Sequence, residues 1–268
     1  MITLISSLYK PEEYLDGYLK RLKDFACDIS GRAPGFEIVI VSNDTSVAAR
    51  KKLEKFVKTN NAENWLRVCH VSRESLYASW NRGVALAKND IIGFWNVDDA
   101  RYPDAVVDAV KLVKENGAEL VYFPFIIKWY LKFFGWSFLI KWKKIIPPVF
   151  DKREFIRSMY CGPFFIFTKS LYEKVGPFDE QFKIVGDFDW CIRTAKISDK
   201  FSRSDKIAGV FGRYYGSNLS GGNQRHAAEN NIVYIRHGVE DKIQPVSVDL
   251  EAEYDPNRVF SNGKSSAI

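Results

Sequence analysis

The feature that most constrains this chain is a regular alternation in its N-terminal part. Short apolar runs, "MITLISS" (1–7), "FEIVIVSND" (36–44), "WLRVCHVS" (65–72) and "IIGFWNV" (91–97), are separated by amphipathic segments. In "KPEEYLDGYLKRLKDF", Tyr14, Leu15, Tyr18, Leu19 and Leu22 recur at helical spacing, and Pro11 suits a first turn. "SVAARKKLEKFVKTN" has the same character, and "SLYASWNRGVALAKND" puts Leu76, Trp80, Val84 and Ala87 on one side. This alternation argues for an α/β fold, a mainly parallel, doubly wound sheet with helices on both faces. Such sheets bind ligands beyond the carboxyl ends of their strands. The polar strand ends at 6–9, 42–44 and 96–99 are therefore candidate site segments, although turn chemistry explains any one of them alone.

The second half is less regular. It offers a strand in "AELVYFPFII" (118–127), a helix in "FDKREFIRSMY" (150–160), and a strand, a helix and a Gly-Pro turn in "GPFFIFTKSLYEKVGPFDEQF". A further helix opens in "VGDFDWCIRTAK", with acids at its start and Arg193 and Lys196 further along. Past about residue 241 the periodicity fades, as in an extended tail that is poorly ordered unless it docks. Cys27, Cys69, Cys161 and Cys191 are scattered, without metal-type spacing, which reads as a reduced, cytoplasmic protein. The N-terminus has no basic stretch ahead of its apolar residues and reads as a first strand, not a signal peptide. A net charge of +6 suits an anionic ligand or an anionic membrane surface. It is small for a nucleic-acid binder, which should carry a concentrated basic stripe.

Two acidic pairs carry the chemistry. Asp98 and Asp99 close an apolar run, and adjacent carboxylates in a turn suit a hard cation such as Mn²⁺ or Mg²⁺, with water and substrate phosphate completing its shell. The plain alternative is a solvated surface turn. Asp187 and Asp189 follow Gly186 at a helix start, where an isolated Asp is most simply a cap. Functionally, Asp187 reads as a general base, with Asp189 the next candidate.

Taken in order, these segments resemble an inverting family-2 glycosyltransferase of the GT-A fold. "LISSLYKPEEYLDGYLKRL" is similar to the family's opening strand and helix, and "FEIVIVSNDTS" to its strand ending in paired acids. "SWNRGVALAKNDIIGFWNVDDARYPD" resembles the helix and strand that deliver a D-x-D-type metal motif. "GPFFIFTKSLYEKVGPFDEQFKIVGDFDWCIR" resembles the acceptor-side block before the catalytic acid, and "GRYYGSNLS" the polar segment near the acceptor. The resemblance implies a GT-A-like domain over 1–240, with a nucleotide-binding half (1–117) and an acceptor half (118–240), then a tail (241–268). It implies sugar transfer from a nucleotide-sugar donor to a hydroxyl of a glycan or lipid-linked acceptor, with Mn²⁺ or Mg²⁺ as cofactor. Asp187 falls on the catalytic base and Asp98 on the metal-reaching acid, with Asp99 beside it. Ser6, Tyr9, Asn43, Asp44, Asn81 and Asn96 fall where the family holds the nucleotide.

The chain departs from the family's pattern in three places. Asn96 replaces the first acid of the metal motif, Ser42 and Asn43 replace the paired acids, and Trp80 stands where an arginine is common. They motivate a rival reading, a non-catalytic nucleotide-sugar or glycan-binding protein on the same fold. Of the histidines, His70 reads as structural and His237 as a surface residue, with metal binding a minority reading for His226. The aromatic and lysine-rich stretch "FPFIIKWYLKFFGWSFLIKWKK" admits two main readings. Core and acceptor-site lining is slightly favoured over peripheral contact of 128–144 with the inner face of a membrane. Stacking on single-stranded nucleic acid has no other support in the sequence.

Overall fold

A computed structural model describes residues 1–133, 136–214, 224–248, 250 and 253–255, with the backbone alone at 132 and 133. Four parallel strands make its centre: β1 (Ile2–Leu8), β2 (Glu37–Asn43), β3 (Leu66–Val71) and β4 (Ile91–Phe94). Register pairs Ser6 with Ile40 across β1 and β2, and Ile5 with Phe94 across β1 and β4. Helices α1 (Glu12–Ile29), α2 (Val47–Thr59) and α3 (Leu76–Leu86) connect them. After the two-residue strand β5 (Ala100–Arg101) comes α4 (Pro103–Asn116).

Strand alternation sends side chains to opposite faces of the sheet. Ile2, Leu4, Ile38 and Ile40 pack with Leu15 and Leu22 of α1, Leu53 of α2 and Val106 of α4. Ile5, Val39 and Val41 pack on the other face with Tyr77, Trp80 and Val84 of α3. Each fully buried aliphatic side chain contributes about 1.5–3 kcal/mol. The sheet therefore has helices on both faces, as the alternation predicts.

The second half extends this sheet. Strands β6 (Leu120–Tyr122), β9 (Ile166–Thr168) and β10 (Phe201–Arg203) complete the order β10-β6-β9-β4-β1-β2-β3. β9 runs antiparallel to both β4 and β6. A second, four-stranded sheet has the order β5-β11-β7-β8, with β7 (Phe125–Phe133), β8 (Trp136–Ile145) and β11 (Gly209–Tyr214). The remaining helices are α5 (Lys152–Arg157), α6 (Lys169–Val175), α7 (Gly186–Ile197) and α8 (Gln224–His237).

Several sequence expectations change in detail. The apolar run 118–127 is two strands, because Pro124 has no N–H to donate and the chain there passes from one sheet to the other. The run 91–97 leaves the sheet at Phe94, where Asp99 N–H donates to the Asn96 carbonyl (3.1 Å) and Trp95 Nε1 donates to the Asp99 carbonyl (3.1 Å). The tail is docked at its last described residues: Leu250 is buried, Tyr254 lies against the Phe182 ring, and Glu253 pairs with Lys183 and Arg225. Core lining fails for β8, whose residues 136–144 are all exposed.

Candidate active site

The parallel strands bring the carboxyl ends of β1 to β4 to one edge. Tyr9, just past β1, lies under the Arg73 guanidinium, which sits 3.5 Å from its ring centroid. Asn43 closes β2 and holds the segment between β3 and α3. Its Nδ2 donates to the Glu74 carbonyl (2.9 Å) and to Ser79 Oγ (3.1 Å), and its Oδ1 accepts from Glu74 N–H (3.0 Å). Asp44 follows in left-handed backbone (φ 50°), exposed, its N–H donating to the Val71 carbonyl.

Three expected nucleotide contacts turn inward instead. The Ser6 hydroxyl is buried, 2.5 Å from Tyr18 Oη, and donates to the Trp95 carbonyl at 2.6 Å. Asn43 has spent both amide hydrogens inside the protein. Asn81 has no capacity left: its Nδ2 donates to the Phe178 carbonyl and Glu180 Oε1, and its Oδ1 accepts from Tyr172 Oη and Phe178 N–H, all at 2.9 Å. Asn81 therefore joins α3 to the turn after α6 rather than facing a ligand. Trp80, in the arginine's place, is core, stacked on Phe94 with centroids 3.9 Å apart. Tyr9 and Asp44 stay at the exposed strand edge.

The acidic turn after β4 has an inner and an outer member. Asp99 is buried; its Oδ1 accepts from Gly212 N–H (3.1 Å) and its Oδ2 from Asn96 Nδ2 (3.2 Å). Burial, then repulsion from Asp98, raises its pKa well above the usual carboxylate value, against the pull of those two donors. Asp98 is half-buried beside it. Gly212 permits this closeness, since a Cβ there would lie 3.0 Å from both the Asp98 carbonyl oxygen and the Tyr214 ring. Residues 132–135 aside, β7 reaches the same turn: the Tyr130 ring stacks on Tyr214 at 5.0 Å, and Tyr14 meets Tyr214 edge-on.

This donor set fits a divalent cation. Two adjacent carboxylates, one raised by burial and then by the other's charge, and an amide oxygen are hard oxygen donors. Among the described residues no group of three His, Cys, Asp or Glu side chains could enclose a metal unaided. A carboxylate pair that leaves the other positions to water and phosphate is the arrangement expected for Mg²⁺-type sites. His226 is half-buried in the first turn of α8, where burial lowers its pKa. The "GRYYGSNLS" segment lies outside the described residues from 215 onward.

Asp187 occupies the first turn of α7 but is not its cap, a position held by Val185 without a side-chain bond. Its Oδ1 accepts from Phe188 N–H (3.0 Å) and lies 3.2 Å from Tyr77 Oη, whose single proton also has the Ile184 carbonyl within 2.7 Å. Gly186 is required here, because a Cβ would lie 2.7 Å from the Tyr77 ring. Burial raises the Asp187 pKa from 3.8 to about 6, against its hydrogen bonds, with a smaller push from Glu229. Asp187 as a whole residue is half-buried.

Glu229 of α8 fixes the approach to this carboxyl and has no signature in the sequence. Its Oε2 accepts from Lys183 (3.2 Å), Ile184 (2.8 Å) and Val185 (3.2 Å) N–H, and its Oε1 pairs with Arg225 Nε (3.0 Å). Asp189 is no base. It is wholly buried, with Arg193 Nε on Oδ2 (2.8 Å) and Arg236 Nη1 and His237 Nε2 on Oδ1 (2.8 and 3.0 Å). These partners overcome its burial and hold its pKa well below the carboxylate range. His237 is thus an interior residue, not a surface one, its imidazole pKa lowered by burial. Arg236 also pairs with Asp179 (2.8 Å), and Arg193 donates to the Val175 and Pro177 carbonyls, so this cluster holds the Gly-Pro turn against α7 and α8.

Solved structures share this architecture. S. aureus TarS 1-349 in complex with UDP-GlcNAc superposes with a TM-score of 0.65 at 14% identity, over 94% of this chain and 69% of that one. The mannosyltransferase PcManGT of Pyrobaculum calidifontis, in complex with GDP-Man and Mn²⁺, gives 0.59 at 13% identity, over 91% and 64%. The fold is therefore GT-A. By sequence, the family described as Glycosyl transferase family 2 matches residues 3–176, and the chain belongs to that family. The protein EpsH of Bacillus subtilis (strain 168) is 27% identical over 103 residues, 38% of this chain and 27% of EpsH, so the match spans about a quarter of that relative's length.

Proposed function

We propose that the protein is an inverting glycosyltransferase that moves a sugar from a nucleotide-sugar to a hydroxyl of a glycan or lipid-linked acceptor. The observation that carries this reading is Asp187: the carboxyl of a half-buried residue at a helix start, with its pKa raised to about 6 and its approach fixed by Tyr77 and Glu229. A carboxylate poised near neutral pH is suited to take a proton. In the proposed step Asp187 receives the acceptor hydroxyl proton as that oxygen bonds the anomeric carbon. The bond from this carbon to the diphosphate breaks on the opposite side, and the nucleoside diphosphate leaves with the electron pair.

The two solved relatives carry UDP-GlcNAc and GDP-Man, which supports a nucleotide-sugar donor as a class. Tyr9 and Asp44 are the proposed nucleotide contacts, and Asn96 orients the acidic turn through Asp99. Asp98 and Asp99 would hold Mn²⁺ or Mg²⁺, with Asp98 the outer donor and Asp99 the buried anchor. Such an ion offsets charge on a diphosphate leaving group.

Incubation with a panel of nucleotide-sugars and Mn²⁺, with pooled glycan and lipid-linked acceptors, tests this reading. Release of nucleoside diphosphate from one donor class is expected. Saturable donor binding without release would favour the non-catalytic alternative, which Asn96 in place of the metal motif's first acid motivates.

A further inference from the structure

The β7–β8 hairpin stands apart from the rest of the surface. Between Phe125 and Ile146 it carries Lys128, Lys132, Lys141, Lys143 and Lys144 and no acidic residue. Without these five lysines, the 39 basic residues of the chain become 34 against 33 acidic ones. Nearly the whole net charge of +6 therefore resides on one hairpin. The same element exposes large apolar groups: Trp136 (72%), Trp142 (63%), Phe138 (54%) and Ile140 (52%), with Leu131 and Leu139 beside them. β8 is the outer strand of its sheet, so among the described residues its far edge has no strand partner. An exposed, apolar, unpaired strand calls for an occupant.

We infer that this hairpin docks the protein on an anionic lipid bilayer. The composition selects this occupant over others. A second copy would set five lysines against five, which repel. Single-stranded nucleic acid would use the aromatic rings as stacking platforms but gains nothing from exposed Leu131, Leu139 and Ile140. A bilayer surface satisfies both sets, with indole and aliphatic groups entering the interface and ammonium groups meeting acidic headgroups. Lysine and indole already sit together here: the Lys141 ammonium lies 4.8 Å from the centre of the Trp129 ring, a cation–π contact on the hairpin itself. No helix among the described residues is long and apolar enough to cross a membrane.

Docking here also places the candidate site at the lipid surface. β7 pairs with β11 from Ile126 to Tyr130, matching Tyr130 to Tyr214, and Gly212 of β11 donates to Asp99. An acceptor hydroxyl borne on a lipid would then reach the site from the membrane side. The docking itself does not depend on the sugar-transfer reading, and it is measured without donor or turnover.

Co-sedimentation with vesicles of phosphatidylcholine alone, and of phosphatidylcholine mixed equally with phosphatidylserine, provides the test. The full chain should bind the mixed vesicles at low salt, bind phosphatidylcholine alone far more weakly, and lose most of its binding at high salt. Changing Lys141, Lys143 and Lys144 together to Glu should weaken binding by roughly 100-fold or more, at roughly fivefold per lysine before reversal of sign. Trp136→Ser with Trp142→Ser should weaken it separately, in a way that high salt does not reproduce. All five positions are exposed, so both variants should keep the wild-type melting temperature, which is checked alongside. Absence of binding to the mixed vesicles, or binding that neither variant weakens, overturns the inference. So does light scattering that shows a dimer abolished by the same substitutions, or tighter binding to single-stranded oligonucleotide than to vesicles.

Discussion

Replacing Asp187 with Asn should make the protein more stable at neutral pH while removing its activity. The Asp187 carboxyl has a pKa of about 6 in the folded chain against 3.8 for the free group, and the dominant cause is burial. A raised carboxyl pKa means that the folded state holds its proton more tightly than the unfolded state does. Stability then falls as pH rises from about 4 to about 6, and above that the full penalty applies. A gap of roughly two pKa units, at about 1.4 kcal/mol each, sets a ceiling of about 3 kcal/mol. Partial exposure of the residue to solvent brings the expected range to about 1–3 kcal/mol. For a chain of this size that is about 2–4 °C in melting temperature per kcal/mol. Asn keeps one oxygen that can serve both Phe188 N–H and Tyr77 Oη, which meet the same atom, so it removes the charge without emptying the site. Thermal unfolding of both proteins at about pH 4 and about pH 8 reads this directly. The curves should nearly coincide at the lower pH and separate at the higher, with the Asn variant melting later. A variant that melts earlier than wild type at about pH 8, or a difference independent of pH, would refute the reasoning and make Asp187 a structural residue.

Other outcomes follow from the same contacts. Glu229→Gln must turn an N–H₂ toward some of the donors it now accepts from, costing about 2–4 kcal/mol by loss of charge-assisted bonds. Any activity inflection near pH 6 should move downward, because Glu229 helps raise the Asp187 pKa. Asp189→Ala strands Arg193, Arg236 and His237 in the interior and should cost about 3–5 kcal/mol in chemical denaturation, where a surface acid would cost almost nothing. Asp98→Ala should abolish the gain in nucleotide-sugar affinity that Mn²⁺ brings in calorimetry; equal affinities with and without Mn²⁺ in both proteins would remove Asp98 from that role.

The alternation that fixes β1 to β4 and α1 to α3 was legible because strand and helix periodicity are local properties. The same periodicity held unused information at Ser6. It lies in step with Ile2, Leu4 and Leu8, the side of β1 that α1 covers, so its hydroxyl had to be buried. Asn81 could not be read this way, since its partners Phe178 and Glu180 lie 97 and 99 residues on. His237 and Asp189 are likewise joined only where α8 crosses α7. Asp187 stood out through its family resemblance and not through local chemistry, because an Asp at a helix start is ordinarily a cap. The β8 strand misled for a different reason. Aromatic residues rank as buried, and here the lysines at alternate and adjacent positions were the better guide to exposure.

The most direct measurement is the rate of nucleoside diphosphate release from the accepted nucleotide-sugar, for wild type and Asp187→Asn, across pH at saturating Mn²⁺ and acceptor. The kcat/KM of the wild type should rise with pH to a plateau, with an inflection near 6 where Asp187 loses its proton. The Asn variant should be slower by ~10²-fold or more and lack that inflection, with donor affinity unchanged. A near wild-type rate in a folded Asp187→Asn protein, or no release from any donor by the wild type, would contradict base catalysis of sugar transfer by Asp187.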